Sequence, residues 1–205
     1  PPPPVMRCRR TAALLMVATL AGCNGGTPRD QVIDPAGTGR TITIRDRSGA
    51  IVVHLPMSYE AGSTRYPVVY LVHGSNADGT QWLDVGAATQ ADRLAASGAI
   101  APVILVMPNE GDRSSAQEAE DVVARIVPLI DGRFRTIADA AHRALGGISR
   151  GGGAALRVGA THPDIIGVIA GHSPTIPGDP TDLARALRPV GGRLWLDVGD
   201  SDGLR

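Results

Sequence analysis

The sequence predicts an α/β fold with a doubly wound, mostly parallel sheet. Short runs of apolar and β-branched residues alternate along the chain with stretches in which apolar residues recur at helical spacing. Most of the strand-like runs are apolar at every position, which is typical of parallel strands buried on both faces. Alternating strands and helices give right-handed crossovers, so that helices cover both faces of a single sheet.

The folded domain is expected at residues 41–205 and begins with two antiparallel strands. Residues 41–44 and 51–55 are rich in Ile, Val and Thr and flank a turn at 46–49. Five continuous apolar runs predict the parallel strands that follow, at 68–72, 103–107, 144–148, 165–170 and 194–198. Amphipathic or small-residue stretches between these strands predict helices at 80–97, 116–134, 151–161 and 180–187.

The segment before this domain has the organisation of a cleaved signal peptide. An arginine-rich stretch at 7–10 precedes an uncharged apolar run at 11–20, which is too short to span a bilayer as a mature helix. Residues 1–22 are therefore assigned to the signal peptide. Within them, residues 1–5 are expected to be extraneous, because Met6 is the natural start of such a peptide.

The end of that apolar run, Leu20-Ala21-Gly22-Cys23, resembles the lipobox of bacterial lipoproteins. In such proteins the thiol carries a diacylglycerol, so the resemblance implies lipidation at Cys23 and a protein anchored in a membrane of the bacterial cell envelope, facing outside the cytoplasm. A plain signal peptide with an unrelated cysteine is the alternative. Residues 23–40 are rich in Gly, Pro, Asp and Thr and predict a flexible tether between the lipid and the folded domain.

The composition excludes several classes of function. The 20 basic residues are all arginines and are balanced by 20 acidic residues, so the net charge of zero offers no basic face for nucleic acid. Two cysteines cannot form a disulfide framework. The aspartates near the end of the sequence lack the spacing of a calcium loop, and no metal or organic cofactor is expected.

A G-x-S-x-G pattern at Gly147–Gly151 is the clearest chemical signal. Its serine, Ser149, follows an apolar strand and precedes a run of small residues, which fits a strained strand-to-helix turn that exposes a nucleophilic hydroxyl. The helix N-terminus beside it would stabilise developing negative charge. A second match at Gly199–Gly203 holds its serine between two aspartates, which would repel an oxyanion. We interpret that second stretch as an acid-bearing loop.

Several further segments occur in the order found in one known family. They lie at 53–56 (VHLP), 65–74 (RYPVVYLVHG), Trp82, 103–108 (VILVMP), 120–136 and 143–152 (RALGGISRGG). With these segments, the chain from about Val53 to Asp202 resembles the esterase family of α/β-hydrolases. This family includes feruloyl and acetylxylan esterases, enterochelin-type esterases, S-formylglutathione hydrolase and the mycolyltransferases.

The resemblance implies a role for each matching position. Ser149 would be the nucleophile, and the backbone N–H groups of Arg150 and Ser75 would stabilise the oxyanion. Asp202 would be the acid of the catalytic triad, with Asp200 as the nearer competitor. Asp197, inside the last predicted strand, is expected to have a structural role.

Three more residues are expected near the pocket. His73 and Gly74 belong to the loop after the first parallel strand, where the histidine would orient the backbone. His172 lies at the carboxyl end of the strand that follows the nucleophile.

The catalytic histidine of this family follows the acid, and the sequence has no histidine after Asp202. We therefore expect the base beyond Arg205 and interpret the chain as a C-terminally truncated domain that lacks its last strand and helix. A missing strand would leave an unpaired sheet edge at 194–198, which natural proteins avoid. His172 is the alternative base, on the condition that it reaches the serine and is held by a carboxylate.

The resemblance implies a serine carboxylic ester hydrolase that forms an acyl-enzyme and acts on a small-molecule or carbohydrate ester. Two alternatives remain open. One is an acyltransferase of the mycolyltransferase type, in which another alcohol replaces water. The other is a non-catalytic binding module on a hydrolase scaffold, since a fold does not determine a function.

Overall fold

The described part of the chain folds around one seven-stranded sheet. The computed structural model describes residues 38–46, 49–109, 115–176, 178–188 and 193–202. The strands are β1 (Arg40–Asp46), β2 (Gly49–Leu55), β3 (Val68–Val72), β4 (Ile104–Asn109), β5 (Arg143–Ile148), β6 (Val168–His172) and β7 (Leu194–Asp197). Their order across the sheet is β1-β2-β4-β3-β5-β6-β7, which confirms the predicted α/β class.

The two N-terminal strands are antiparallel and the later ones are parallel, as the sequence predicts. β1 pairs with β2 from Arg40 opposite Leu55 to Asp46 opposite Gly49, and β2 is also antiparallel to β4. β4, β3, β5, β6 and β7 run parallel to their neighbours. The carboxyl ends of these five strands therefore share one edge of the sheet, where ligands bind in open α/β folds.

Helices cover both faces of this sheet. In the described residues they are α1 (Gln81–Asp84), α2 (Ala87–Ala96), α3 (Ser115–Asp121), α4 (Val127–Arg133), α5 (Arg150–Thr161) and α6 (Pro180–Leu187). Short 3₁₀ segments lie at Met57–Ala61 and Ala140–His142, and a π-helical segment at Val122–Ile126 joins α3 to α4. Over the ranges that the structure describes, none of the helices combines the length and apolar character that a membrane crossing requires.

Two of the predicted helices are interrupted. The helix predicted at 80–97 is split into α1 and α2 because Gly86 takes a left-handed conformation with φ 82°. The helix predicted at 116–134 contains the π-helical segment directly before the turn with Pro128. A proline ring has no N–H and collides with the carbonyl group four residues earlier, which favours a wider turn at this point.

The strand predicted at 165–170 was placed too early. Ile165 and Ile166 donate backbone hydrogen bonds to the carbonyl oxygen of His162 and so belong to the turn after α5. β6 begins only at Val168. The apolar run therefore includes both a buried turn and a strand, which periodicity alone does not separate.

The sheet separates two hydrophobic clusters, and β3 contributes to both. Val68, Tyr70 and Val72 pack with residues of the helices from α3 to α6. Val69 and Leu71 pack on the other face, with residues of α1 and α2. All five side chains are buried, as expected for a central parallel strand.

A buried polar network fastens the start of the domain to α2. His54 is 2% exposed and Asp92 is 8% exposed, and they form a hydrogen bond of 3.0 Å from Nε2 to Oδ2. The same Oδ2 accepts the Gly39 N–H at 2.7 Å, and Thr41 Oγ1 lies 2.9 Å from His54 Nδ1. The two buried side chains, His54 and Asp92, are hydrogen-bonded to each other, and this bond offsets the desolvation cost of burying them.

We predict that Asp92→Ala destabilises the domain by about 3 kcal/mol, because it leaves the buried His54 Nε2 and the partly buried Gly39 N–H without their acceptor. Urea denaturation followed by circular dichroism measures this change. The control is Asp84→Ala in α1, where the side chain is exposed and a change below about 0.5 kcal/mol is expected. Equal stability of the two variants would contradict the prediction.

Candidate active site

Ser149 lies at a sharp turn between β5 and α5. Its backbone has φ 54° and ψ −122°, a conformation that L-residues rarely adopt. Such a conformation costs about 1–3 kcal/mol and persists only where the surroundings enforce it. The structure therefore places this serine in the strand-turn-helix setting that the sequence predicts for a nucleophile.

Hydrogen bonds from the neighbouring strand hold this turn. The Ser149 N–H donates to the carbonyl oxygen of His172 at 2.9 Å, which links the turn to the end of β6. The Ser149 carbonyl accepts from the N–H groups of Thr175 and Gly153, both at 3.0 Å. Both backbone polar groups of the serine are thus hydrogen-bonded, so its backbone is fixed while its side chain can still change rotamer.

The two motif glycines allow the backbones to approach each other. A Cβ atom at Gly147 would lie 2.4 Å from the carbonyl carbon of Gly151. A Cβ atom at Gly151 would lie 2.2 Å from the carbonyl oxygen of His73 and 2.6 Å from that of Val72. Side chains at these positions would push α5 away from β5 and from the end of β3.

The two predicted oxyanion donors lie on adjoining elements. Arg150 is the first residue of α5, at the helix N-terminus, where the helix dipole favours negative charge. Ser75 belongs to the loop after β3. This loop lies beside the turn at Ser149: a Cβ atom at Gly74 would lie 3.6 Å from the Ile148 carbonyl oxygen. The structure thus brings both predicted donors to the edge of the sheet where Ser149 lies.

His73 is buried and acts on the backbone of this loop. It is 4% exposed, and its Nδ1 lies 2.8 Å from the carbonyl oxygen of Gly74. Further along the loop, Thr80 donates its hydroxyl and its backbone N–H to the Asp78 carboxylate, each at 2.7 Å. These hydrogen bonds favour the ionised carboxylate and so hold the pKa of Asp78 below its usual value.

His172 and Asp197 form a pair that the sequence analysis did not foresee. They lie opposite each other on β6 and β7, and the imidazole Nδ1 is 2.7 Å from each carboxylate oxygen. The expectation that this aspartate serves structure is consistent with that contact. The only signal in the sequence was two polar residues at the ends of apolar runs, and their pairing depends on the strand register.

The predicted acid follows β7, two strands away from β5. Asp202 is half-buried and donates its backbone N–H to the Gly199 carbonyl at 3.0 Å, while Asp200 is exposed. Ser201, between them, is exposed and lacks the positive φ of Ser149. The second G-x-S-x-G match therefore does not reproduce the backbone geometry of the first over its described residues.

Other sequence predictions fall outside the described residues. These are the signal peptide, Cys23 and most of the tether. Within the described ranges, no group of three or more His, Cys, Asp or Glu side chains is arranged to hold a metal ion.

We predict that Gly151→Ala lowers the free energy of unfolding by about 2–3 kcal/mol or more, because the new methyl group overlaps two backbone carbonyl oxygens. The matched control is Gly132→Ala in α4, where a Cβ atom meets nothing within 4 Å. This control is expected to be neutral or to stabilise by up to about 1 kcal/mol, since alanine has the higher helix propensity. Thermal denaturation of both variants tests the difference, and a neutral Gly151→Ala would show that the close approach is not required.

The chain is similar to curated and solved proteins with esterase activity. It is 34% identical over 130 residues to an endo-1,4-beta-xylanase/feruloyl esterase from Xylanibacter ruminicola, a match that covers 56% of this chain and 18% of that protein. The fold is similar to that of a serine-to-alanine mutant of the feruloyl esterase module from Clostridium thermocellum complexed with sinapinate. There the TM-score is 0.67 at 19% identity, over 78% of this chain and 66% of that one.

An S-formylglutathione hydrolase from Agrobacterium tumefaciens has the same fold, with a TM-score of 0.59 at 15% identity over 80% of this chain and 76% of that one. At these identities the structural matches establish an α/β-hydrolase type of fold. The chain spans less than a fifth of the curated relative and slightly under two thirds of the feruloyl esterase module. The model of the family described as "Putative esterase" matches residues 43–203, which is most of the sequence, and the chain therefore belongs to the esterase family.

Proposed function

We propose that this chain carries the catalytic core of a serine carboxylic ester hydrolase that works through an acyl-enzyme. The observation that supports it most is the backbone of Ser149, which has a positive φ between a buried strand and a helix. Strained backbone conformations of this kind cluster at active sites, which supports a catalytic role for this serine. Membership of the esterase family supports the same reaction class.

In the proposed reaction the Ser149 hydroxyl attacks the ester carbonyl carbon and transfers its proton to a base. The carbonyl oxygen becomes an oxyanion, which accepts hydrogen bonds from the backbone N–H groups of Arg150 and Ser75. The protonated base gives its proton to the alcohol as the tetrahedral intermediate expels it, which leaves the acyl-enzyme. The same base then takes a proton from water, which attacks the acyl-enzyme, and returns that proton to Ser149 as the carboxylic acid leaves. The α5 dipole adds a favourable potential at the oxyanion.

We assign the acid to Asp202 and the base to a histidine that follows it, in the order of the family's triad. His172 is the competing base. Its Nδ1 contacts a carboxylate, as an imidazole base requires, and its backbone touches that of Ser149. However, within the described residues the Ser149 hydroxyl forms no hydrogen bond to this imidazole. A base must reach the hydroxyl directly or through one water molecule.

For the substrate we propose an ester of a small aromatic acid, including esters on carbohydrates. The support comes from relatives named as feruloyl esterases, one of which is complexed with sinapinate. Methyl ferulate and p-nitrophenyl acetate are therefore suitable first substrates for comparison.

We also propose that the protein is a lipid-anchored component of the bacterial cell envelope. The support is the order of a positive segment, an apolar run and Leu20-Ala21-Gly22-Cys23 at the start of the sequence. The tether at 23–40 would then separate the folded domain from the membrane surface.

The decisive experiment for the reaction is labelling of the full-length protein with a fluorophosphonate probe. Ser149→Ala is expected to abolish labelling and to reduce turnover of p-nitrophenyl acetate by at least about 10³-fold, because the nucleophile is lost. Ser201→Ala, in the second G-x-S-x-G match, is the matched control and should keep its label. Labelling that survives Ser149→Ala would contradict the proposal, because the reactive nucleophile would then be another residue. A wild-type protein that is not labelled would contradict it too and would favour a binding module.

The same assay separates the two candidate bases. His172→Ala is expected to keep measurable Ser149-dependent turnover, because the proposed base lies elsewhere. If His172→Ala is as inactive as Ser149→Ala while remaining folded, the base is His172 and the assignment changes.

For the anchor, we predict that Cys23→Ser prevents incorporation of a labelled fatty acid when the full-length protein is expressed in a bacterium. It should also shift the protein from the membrane fraction to the soluble fraction, since the thiol that carries the lipid is absent. Cys8→Ser, in the other cysteine, is the control and should leave labelling intact. Unchanged labelling of Cys23→Ser would exclude the lipobox interpretation.

A further inference from the structure

The peptide groups around Gly74 are held from both sides by side chains. The Gly74 N–H donates to Gln81 Oε1 at 2.8 Å. The Gly74 carbonyl oxygen lies 2.8 Å from Nδ1 of His73. Both backbone polar groups of Gly74 are thus bound by side chains, the carbonyl oxygen by His73 of the same loop and the N–H by Gln81 of α1.

These contacts determine which N–H the loop can offer to an oxyanion. In a trans peptide the C=O of one residue and the N–H of the next lie in one plane and point in opposite directions. The contact with His73 therefore aims the Ser75 N–H away from that imidazole. The Gly74 N–H is already engaged by Gln81, so it does not compete for the oxyanion.

Gln81 is itself fixed on another part of the structure. Its N–H donates to the Asp78 carbonyl at 3.0 Å as α1 begins. Gly79 in the same segment packs on the end of β4, where a Cβ atom would lie 2.7 Å from the Pro108 carbonyl oxygen. The backbone of Gln81 is therefore fixed through Asp78 and Gly79 at the end of β4, independently of the Gly74 peptide group that its side chain binds.

We propose that Gln81 is a positioning residue for ester hydrolysis. It fixes the peptide group that joins His73 to Gly74. The next peptide group carries the Ser75 N–H, the second oxyanion donor. The inference rests on the function proposed above, since it assigns the Ser75 N–H to the oxyanion. Without the amide acceptor, the Gly74 N–H must turn to find another partner. That rotation moves the adjoining peptide, and with it the Ser75 N–H, away from the position that the oxyanion occupies.

The experiment uses the full-length protein and compares Gln81→Met with Gln81→Glu. Methionine has a similar length but no comparable acceptor, whereas glutamate keeps an oxygen at the same position. Gln90→Met in α2 is the control, because the side chain of Gln90 accepts a hydrogen bond from Arg93 on the exposed surface. Values of kcat and KM for p-nitrophenyl acetate and the inhibition constant of phenylboronic acid, which forms a tetrahedral adduct with serine, are measured for each.

We expect Gln81→Met to lose about tenfold in kcat, because misaligning a donor costs part of the 10²–10³-fold that removing one costs. Its KM should change by less than about twofold, and the boronic acid should bind about tenfold more weakly. Gln81→Glu should stay within about threefold of wild type in kcat, and Gln90→Met should match wild type.

Three results would overturn the inference. One is a folded Gln81→Met with wild-type kcat, and another is a KM effect without a kcat effect. The third is an equal loss of kcat in Gln81→Glu, which would remove the hydrogen-bond explanation even if the methionine variant folds poorly. Wild-type turnover that is independent of Ser149 would instead reject the proposed function itself, and Ser149→Ala in the same series reveals it.

Discussion

The geometry of the candidate active site depends on one constraint: the backbone of Ser149 is held at a positive φ. Left to itself, this residue would relax and release about 1–3 kcal/mol. It does not relax because its N–H is bound to β6, its carbonyl group accepts from two N–H groups, and the glycines on either side let α5 approach β3. The strain is thus balanced by contacts with three different elements, and a disturbance in any of them would move the hydroxyl.

The order of the strands explains how distant segments meet at this edge. β3 lies between β4 and β5, so the loop carrying Ser75 and the turn carrying Ser149 are neighbours although more than 70 positions separate them. β6 and β7 extend the same edge and add His172 and the acidic loop. The buried network of His54 and Asp92 lies elsewhere, beside the amino end of β4. The polar network that stabilises the N-terminal start of the domain therefore lies at the end of the sheet opposite to the candidate active site.

Local patterns predicted much of this arrangement, and tertiary register determined the rest. Strands such as β3 were predicted within their observed bounds because parallel strands are apolar at every position. The turn at Ser149 was predictable because two glycines at fixed spacing are what the close backbone approach requires. The contact between Gln81 and Gly74 depends on the conformation of the loop after β3, and the pairing of His172 with Asp197 depends on the register between β6 and β7. Neither leaves a pattern in the sequence.

The engagement of Asp197 narrows the choice of triad acid. Both of its oxygens lie 2.7 Å from His172 Nδ1, so this carboxylate already orients an imidazole. In the proposed triad, where the base is a different histidine, the acid is then expected in the loop that follows, which offers Asp200 and Asp202. Asp200 is exposed and Asp202 is half-buried. A carboxylate stabilises an imidazolium more strongly where water screens the pair less, and that favours Asp202.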